Sequence, residues 1–393
     1  KNFIESLITT GEYSFVCFGG AIKHLDYQPQ KIDPHGDDWV VYPVDGYGSQ
    51  ETVRSILRTE KPDLLWFMTD PRFFPWLWEI EDEIRSLLPM VYYHVWDNLP
   101  YPDFNRVWYD SCDHIACISK VTHDIVKTVS PNTDSCYLPH AVNSEVFKPL
   151  TEEQVTELKE KSNLSGDKFT VFWNNRNARR KQSGSLIFWF AKFLDKVGRE
   201  NAKLIMHTDP KDKNGPDLVA QINNLGLTNG EVQFSKEKID ASQLAAIYNM
   251  ADVTVNISDA EGFGLSTLES LSCGTPIVVN MTGGLQEQVT DGDNWFGVGI
   301  EPSSKAVIGS QDIPYIYEDR ISEDDFIEAL EKLYNMSTEE RKDLGNMGRE
   351  HVLRNYNFKS FQLSWQTLIK DILKKHGSWE DRKGYKSWEL LEV

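Results

Sequence analysis

Glu261-Gly-Phe-Gly-Leu-Ser-Thr-Leu-Glu269 follows the apolar run Val253-Thr-Val-Asn-Ile257 and the short break Ser258-Asp-Ala260. The run reads as a buried strand. Gly264 marks the start of a helix that ends near Cys273, before Gly274 and Pro276. Glu261 therefore lies in a strand-to-helix loop, and Glu269 lies about one and a half turns into the helix. Both carboxylates can address one elongated ligand. Gly262 and Gly264 leave the backbone around Phe263 uncrowded, so the amides of Gly264, Leu265 and Ser266 can meet a phosphate, helped by the helix dipole. A carboxylate accepting from two adjacent hydroxyls suits a ribose or a hexose. Loop composition alone fits a solvated helix face equally well.

Outward from this loop, apolar runs alternate with helical stretches along the whole chain. Toward the N-terminus they are Ser14–Phe18, Trp39–Tyr42, Asp63–Met68, Met90–His94 and His114–Ile118. After a polar, charge-rich stretch from Pro139 to Asp167 they are Phe169–Trp173, Ala202–Met206, Val232–Phe234, Val253–Ile257 and Pro276–Asn280. Continuous apolar runs separated by helices predict parallel sheets covered on both faces. The expected fold class is α/β, with two Rossmann-like doubly wound domains facing across a cleft and ligands at the carboxyl ends of the strands. The expected boundaries are 1–150 for the first domain, 151–357 for the second with the linker, and 358–393 for a helical segment crossing back to the first.

A chain of 393 residues exceeds what one core usually serves, in keeping with two domains. Sixty acidic against 41 basic residues give a formal net charge of −19, which disfavours nucleic acid as a partner. Five cysteines without a CxxC pair indicate neither a disulfide framework nor a zinc site, and a cytoplasmic location fits them best. No apolar run reaches the roughly 18 residues of a membrane span; peripheral membrane contact has no support in the sequence. No GxGxxG or GxxxxGK[ST] pattern supports nicotinamide binding or a P-loop.

Against the acidic background, Asn174-Asn-Arg-Asn-Ala-Arg-Arg-Lys-Gln182 places Arg176, Arg179, Arg180 and Lys181 just after a predicted strand. Such cations can converge on a phosphate, although a solvated basic turn has the same composition. His94 closes the run Met90-Val-Tyr-Tyr, with Trp96 and Asp97 behind it. A lone strand-end histidine is more often structural than catalytic.

The string from Glu261 through Thr275-Pro-Ile-Val-Val279, with Thr282-Gly-Gly284, Glu287-Gln-Val289 and Asp291-Gly-Asp-Asn294, resembles the E-x7-E signature region of the family-four retaining glycosyltransferases of GT-B fold. Asn175-Arg176 to Lys181 resembles that family's GR…K element, with Asn175 in place of the usual Gly. His94-Val-Trp-Asp97, Asp113 to Ser119 and Leu138 to Pro149 are similar to its "HD … S … NGVD … F-x-P" progression, with His140 and Ala141 replacing Asn and Gly.

The resemblance implies transfer of a sugar from a nucleoside diphosphate sugar to an acceptor hydroxyl, with retained configuration; no metal or other cofactor is expected, because the cations and the helix start can do a metal's work. It implies that Glu269 binds the ribose, Glu261 and His94 the donor sugar, and Arg176 with Lys181 or Arg180 the diphosphate. The amides from Gly262 through Phe263, Gly264 and Leu265 to Ser266 would hold the diphosphate or sugar. Compared with the family, the first strand and its Gly-rich loop are expected to be missing. The alternatives are a nucleotide-sugar epimerase or phosphorylase of related fold, or a non-catalytic partner subunit.

Overall fold

The computed structural model describes residues 1–20, 24–162 and 168–387; the end of the expected linker (163–167) and of the C-terminal segment (388–393) lie outside the described residues. The chain divides into two compact units, one built from residues 1–96, 101–141 and the chain from Phe358 on, the other from 97–100 and 142–357.

In the first unit, strands β1 (Phe15–Gly19), β2 (Gln30–Ile32) and β3 (Gly36–Pro43) form one sheet in the order β1-β3-β2. β1 runs parallel to β3, and β2 returns antiparallel. Strands β4 (Leu65–Met68), β5 (Met90–His94), β6 (His114–Cys117) and β7 (Ser135–Tyr137) form a second sheet, parallel throughout and in sequence order. The sequence predicts a single alternating series here; instead two sheets form, and the β2 hairpin is too short and polar to stand out. Every residue of β5 is buried, as its unbroken apolar run requires. The helix Phe358–His376 packs in this unit through Phe361 and Trp365, where Phe3 of the helix Asn2–Ile8 meets Trp365 edge-on at 4.7 Å and stacks on Trp66 at 4.2 Å.

The second unit carries six parallel strands: β8 (Phe169–Asn174), β9 (Ala202–His207), β10 (Val232–Ser235), β11 (Val253–Asn256), β12 (Ile277–Asn280) and β13 (Gly297–Ile300), in the order β10-β9-β8-β11-β12-β13. An antiparallel pair, β14 (Ser304–Ile308) and β15 (Ile316–Arg320), completes it. Trp173, Phe190, Phe193 and Phe326 are among its fully buried side chains. The helix Glu152–Lys161 in the linker region is held at its start by a reciprocal Thr151–Gln154 capping box.

Candidate active site

The order of the six-stranded sheet reverses between β8 and β11. β9 and β10 extend from β8 on one side, β12 and β13 from β11 on the other, while Val171 pairs with Val253 and Phe172 with Thr254 across the junction. A switch point of this kind opens a crevice beyond the strand ends, because successive helices leave to opposite faces. The cationic segment follows β8 and the Glu261 loop follows β11, so both leave from this junction.

After β8 the chain makes a 3-10 turn over Arg179–Lys181, closed by Gln182 in the left-handed region at φ 54°. Three contacts fix the turn. Gln182 Nε2 donates to Asp259 Oδ2 at 2.6 Å, Asp259 N donates to Arg180 O at 2.8 Å, and Arg320 pairs with Asp259 at 3.1 Å. Lys181 is thereby turned inward; it is buried, and its Nζ pairs with Glu261 Oε2. Asn256, the last residue of β11, places its Nδ2 3.5 Å from the same oxygen. Burial pushes the Glu261 carboxyl up, but Lys181, Arg180 and the hydrogen bonds from Lys181 and Asn256 outweigh it and hold the group below the usual carboxylate range.

The Glu261 backbone is fixed as tightly as its side chain. Gly284 N donates to Glu261 O at 2.9 Å, and Gly283, at φ 49°, passes so close that a Cβ there would sit 2.0 Å from the same carbonyl. Any larger residue at 283 would displace the loop. Asp97 faces the same place, with its Cβ 3.2 Å from that position. Burial pushes its carboxyl up to about 7, with Glu261 adding to the rise and Arg180 and Lys181 opposing it.

The helix Leu265–Ser272 starts from Gly264 at φ 92°. Its first intrahelical bond is Leu268 N to Gly264 O at 3.3 Å, so the amides of Leu265, Ser266 and Thr267 point forward from the helix start. On this helix, Glu269 accepts from the Tyr248 hydroxyl at 2.8 Å, which in turn accepts from Asn174 Nδ2 at 2.9 Å. Burial pushes Glu269 up to about 7, against the Tyr248 hydrogen bond.

The structure thus brings together Lys181, Arg180, Glu261, Glu269 and the segment Gly262–Ser266. Arg176 stands apart from them: it is exposed and forked onto Asp212 at 2.6 and 3.3 Å. Arg179 is likewise engaged, with Glu318 at 2.5 and 2.8 Å. In the other unit, His94 is the last residue of β5 and fully buried, with Nε2 2.6 Å from the Tyr109 hydroxyl and Nδ1 buried without a hydrogen-bond partner among the described residues. Burial pulls its pKa down to about 3, so the ring is neutral at physiological pH. Sequence reasoning did not assign Asp97, Asn174, Tyr248 or Asn256. For Asn174 and Asn256 a signal existed, since each is a polar residue ending an apolar strand; for Tyr248, on a separate helix, there was none.

The fold matches that of sucrose-phosphate synthase from Thermosynechococcus elongatus with a TM-score of 0.74 at 17% identity, covering 94% of this chain and 91% of that one. An E. coli trehalose-6-phosphate structure bound with UDP-2-fluoro glucose matches at a TM-score of 0.68 and 12% identity, with 94% of each chain covered. These neighbours define an α/β protein of the GT-B class, as the two parallel-sheet units lead one to expect. More specifically, the family model described as Glycosyl transferases group 1 matches residues 154–351, and the chain belongs to that family. N-acetyl-alpha-D-glucosaminyl L-malate synthase of Bacillus anthracis is 24% identical over 258 residues, 64% of this chain and 57% of that protein. The chain spans about half the length of the curated relatives it matches. Among the described residues no helix is long and apolar enough to cross a membrane.

Proposed function

We propose that the protein is a retaining glycosyltransferase that moves a sugar from a nucleoside diphosphate sugar to an acceptor hydroxyl. The observation that carries this reading is the buried Lys181–Glu261 pair at the switch point, beside a helix start with forward-pointing amides and a second carboxylate, Glu269, further along the same helix. That array matches an extended ligand with ribose at one end, a diphosphate in the middle and a sugar at the other.

Glu269 accepts from the ribose hydroxyls, with Tyr248 fixing its orientation. Lys181, Arg180 and the amides of Leu265 and Ser266 take the diphosphate, and Glu261 the sugar. Catalysis is then mainly electrostatic, because fixed cations and amide dipoles stabilise the negative charge that develops on the departing diphosphate. With that charge met by side chains and the helix start, the reaction proceeds without a metal. Retention follows from front-face attack, with the acceptor hydroxyl deprotonated by the leaving phosphate, as the family resemblance implies. His94, neutral at working pH, sits in the other unit, buried and bonded to Tyr109. The five free cysteines favour a cytoplasmic setting.

A donor screen that reads release of free nucleotide tests the proposal, beginning with uridine diphosphate hexoses because the E. coli neighbour was solved with such a nucleotide. Release of a nucleoside diphosphate, stimulated by an acceptor, is the expected result. Interconversion of the donor sugar with no acceptor present would make the protein an epimerase instead.

A further inference from the structure

Asp97 reaches the site through contacts far away in sequence. In the second unit, Tyr317 N donates to Leu99 O at 2.5 Å and Asn98 Nδ2 donates to Tyr317 O at 2.7 Å, so one backbone and one side-chain hydrogen bond tie the segment 97–100 to β15. β15 is itself anchored to the site. Asp319 N donates to Asp259 O at 2.9 Å, Asn280 Nδ2 donates to Asp319 O at 2.9 Å, and Glu318 holds Arg179. One strand therefore fixes both the cationic turn and the segment that carries Asp97. The Asp97 Cβ lies 3.2 Å from where a Cβ on Gly283 would sit, beside the Glu261 carbonyl, and its carboxyl feels the charges of Arg180, Glu261 and Lys181. A carboxylate placed there can accept hydrogen bonds from ligand hydroxyls.

We propose that Asp97 is a specificity-determining residue of the donor site: with Glu261 it flanks the transferred sugar, accepts hydrogen bonds from its hydroxyls, and excludes nucleotide-linked uronic acids. The inference rests on the glycosyltransferase reading above. Charge balance is the reason for the exclusion. Lys181 and Arg180 are needed by the diphosphate, so a sugar carboxylate would face two like charges without a cation of its own. Neutral hexoses carry only hydroxyls, which two carboxylates bind well.

The test is calorimetry with UDP-glucose, UDP-glucuronate and free UDP, on the wild-type chain and on Asp97→Asn, at pH 8.5, where the Asp97 carboxyl is ionised. If the donor screen returns a guanosine donor, GDP-mannose, GDP-mannuronate and GDP replace them. Wild type should prefer the neutral sugar by about tenfold or more, and Asp97→Asn should shrink that ratio to about threefold or less, a specificity change of the size a single like-charge contact produces. At pH 6, where Asp97 is mostly protonated, the wild-type preference should fall toward that of the variant. Asp97→Ser, with unchanged thermal melting, serves as a second variant that removes the carboxylate. Free nucleotide that binds while the two sugars bind equally, or a ratio unaffected by both variants, would overturn the role of Asp97 alone. Absence of binding by the nucleotides and their sugars would overturn the glycosyltransferase reading and this inference with it.

Discussion

β5 and β11 each end in a polar residue, His94 and Asn256, yet the chain beyond them is used differently. His94 is still in register, paired with Cys117 of β6, and a parallel strand covered on both faces buries its last residue as fully as its first. The ring is therefore packed, paired with Tyr109 and kept neutral. After β11 the chain runs past the strand end before presenting Glu261, where side chains from the β8 loop, the Gly283 turn and residue 97 converge. In-register polar ends are then either packed, as His94 is, or used to orient a neighbour, as Asn174 and Asn256 are, while charge collects just beyond the strand ends. Asp97, which follows β5 at a short distance, obeys the same rule as Glu261.

The contrast is tested most strongly at Glu261. Glu261→Gln should lower kcat by about a thousandfold, the scale of losing one preorganised charge in a closed site, with the nucleotide Kd nearly unchanged. Glu269→Gln should instead weaken nucleotide binding by about 30-fold, since it removes a charged acceptor for the ribose. Equal and negligible effects of the two substitutions in steady-state kinetics and calorimetry would mean that the loop is not the donor site.

The other side of the contrast is His94. His94→Asn should cost about 2 kcal/mol of stability in denaturant titrations while leaving kcat/KM within about twofold, because the buried Tyr109 hydroxyl loses the closer of its two partners. With a pKa near 3, His94 contributes no inflection between pH 5 and 9. An acidic limb of the rate profile that vanishes in this variant would break the comparison.

A subtler effect is set by Glu269. Its carboxyl, raised to about 7, is neutral below that value and ionised above it, and only the ionised form accepts from both ribose hydroxyls. Affinity for a nucleotide sugar should therefore rise several-fold from pH 6 to pH 8, and Glu269→Gln should flatten the curve. The smallest effect is expected at the exposed start of the cationic loop. Arg176→Ala should change kcat/KM by less than about threefold, because an exposed pair with Asp212 is worth little, whereas Arg180→Ala should cost more. The reverse order would move the diphosphate toward Arg176.

The sequence already contains most of the strands, because buried parallel strands are unbroken apolar runs; Met90–His94 was legible to the residue, and Phe169–Trp173 to within one. The β14–β15 hairpin was not. Ile316-Tyr-Glu-Asp-Arg320 and Ser304-Lys-Ala-Val-Ile308 mix charge into a half-buried strand paired with a largely exposed one, and their pairing carries no apolar run to find. The carboxylate loop was legible as a local motif. Which cation would reach it was not, since that depends on the turn at Arg179–Lys181 and on its distant anchors Asp259 and Arg320. Asp97 was hidden for the same reason: what carries it to Glu261 is its segment's pairing with Tyr317, more than 200 residues away in sequence.

The central claim is that the Lys181–Glu261 group and the Leu265–Ser272 helix start form a nucleotide-sugar site. Calorimetry of the intact chain against a panel of nucleoside diphosphates and their sugars measures it most directly. The account predicts binding of one base class, weakened strongly by Glu269→Gln and by Lys181→Met and barely by Arg176→Ala. Absence of binding across the panel, or binding indifferent to Glu269 and Lys181, would contradict it.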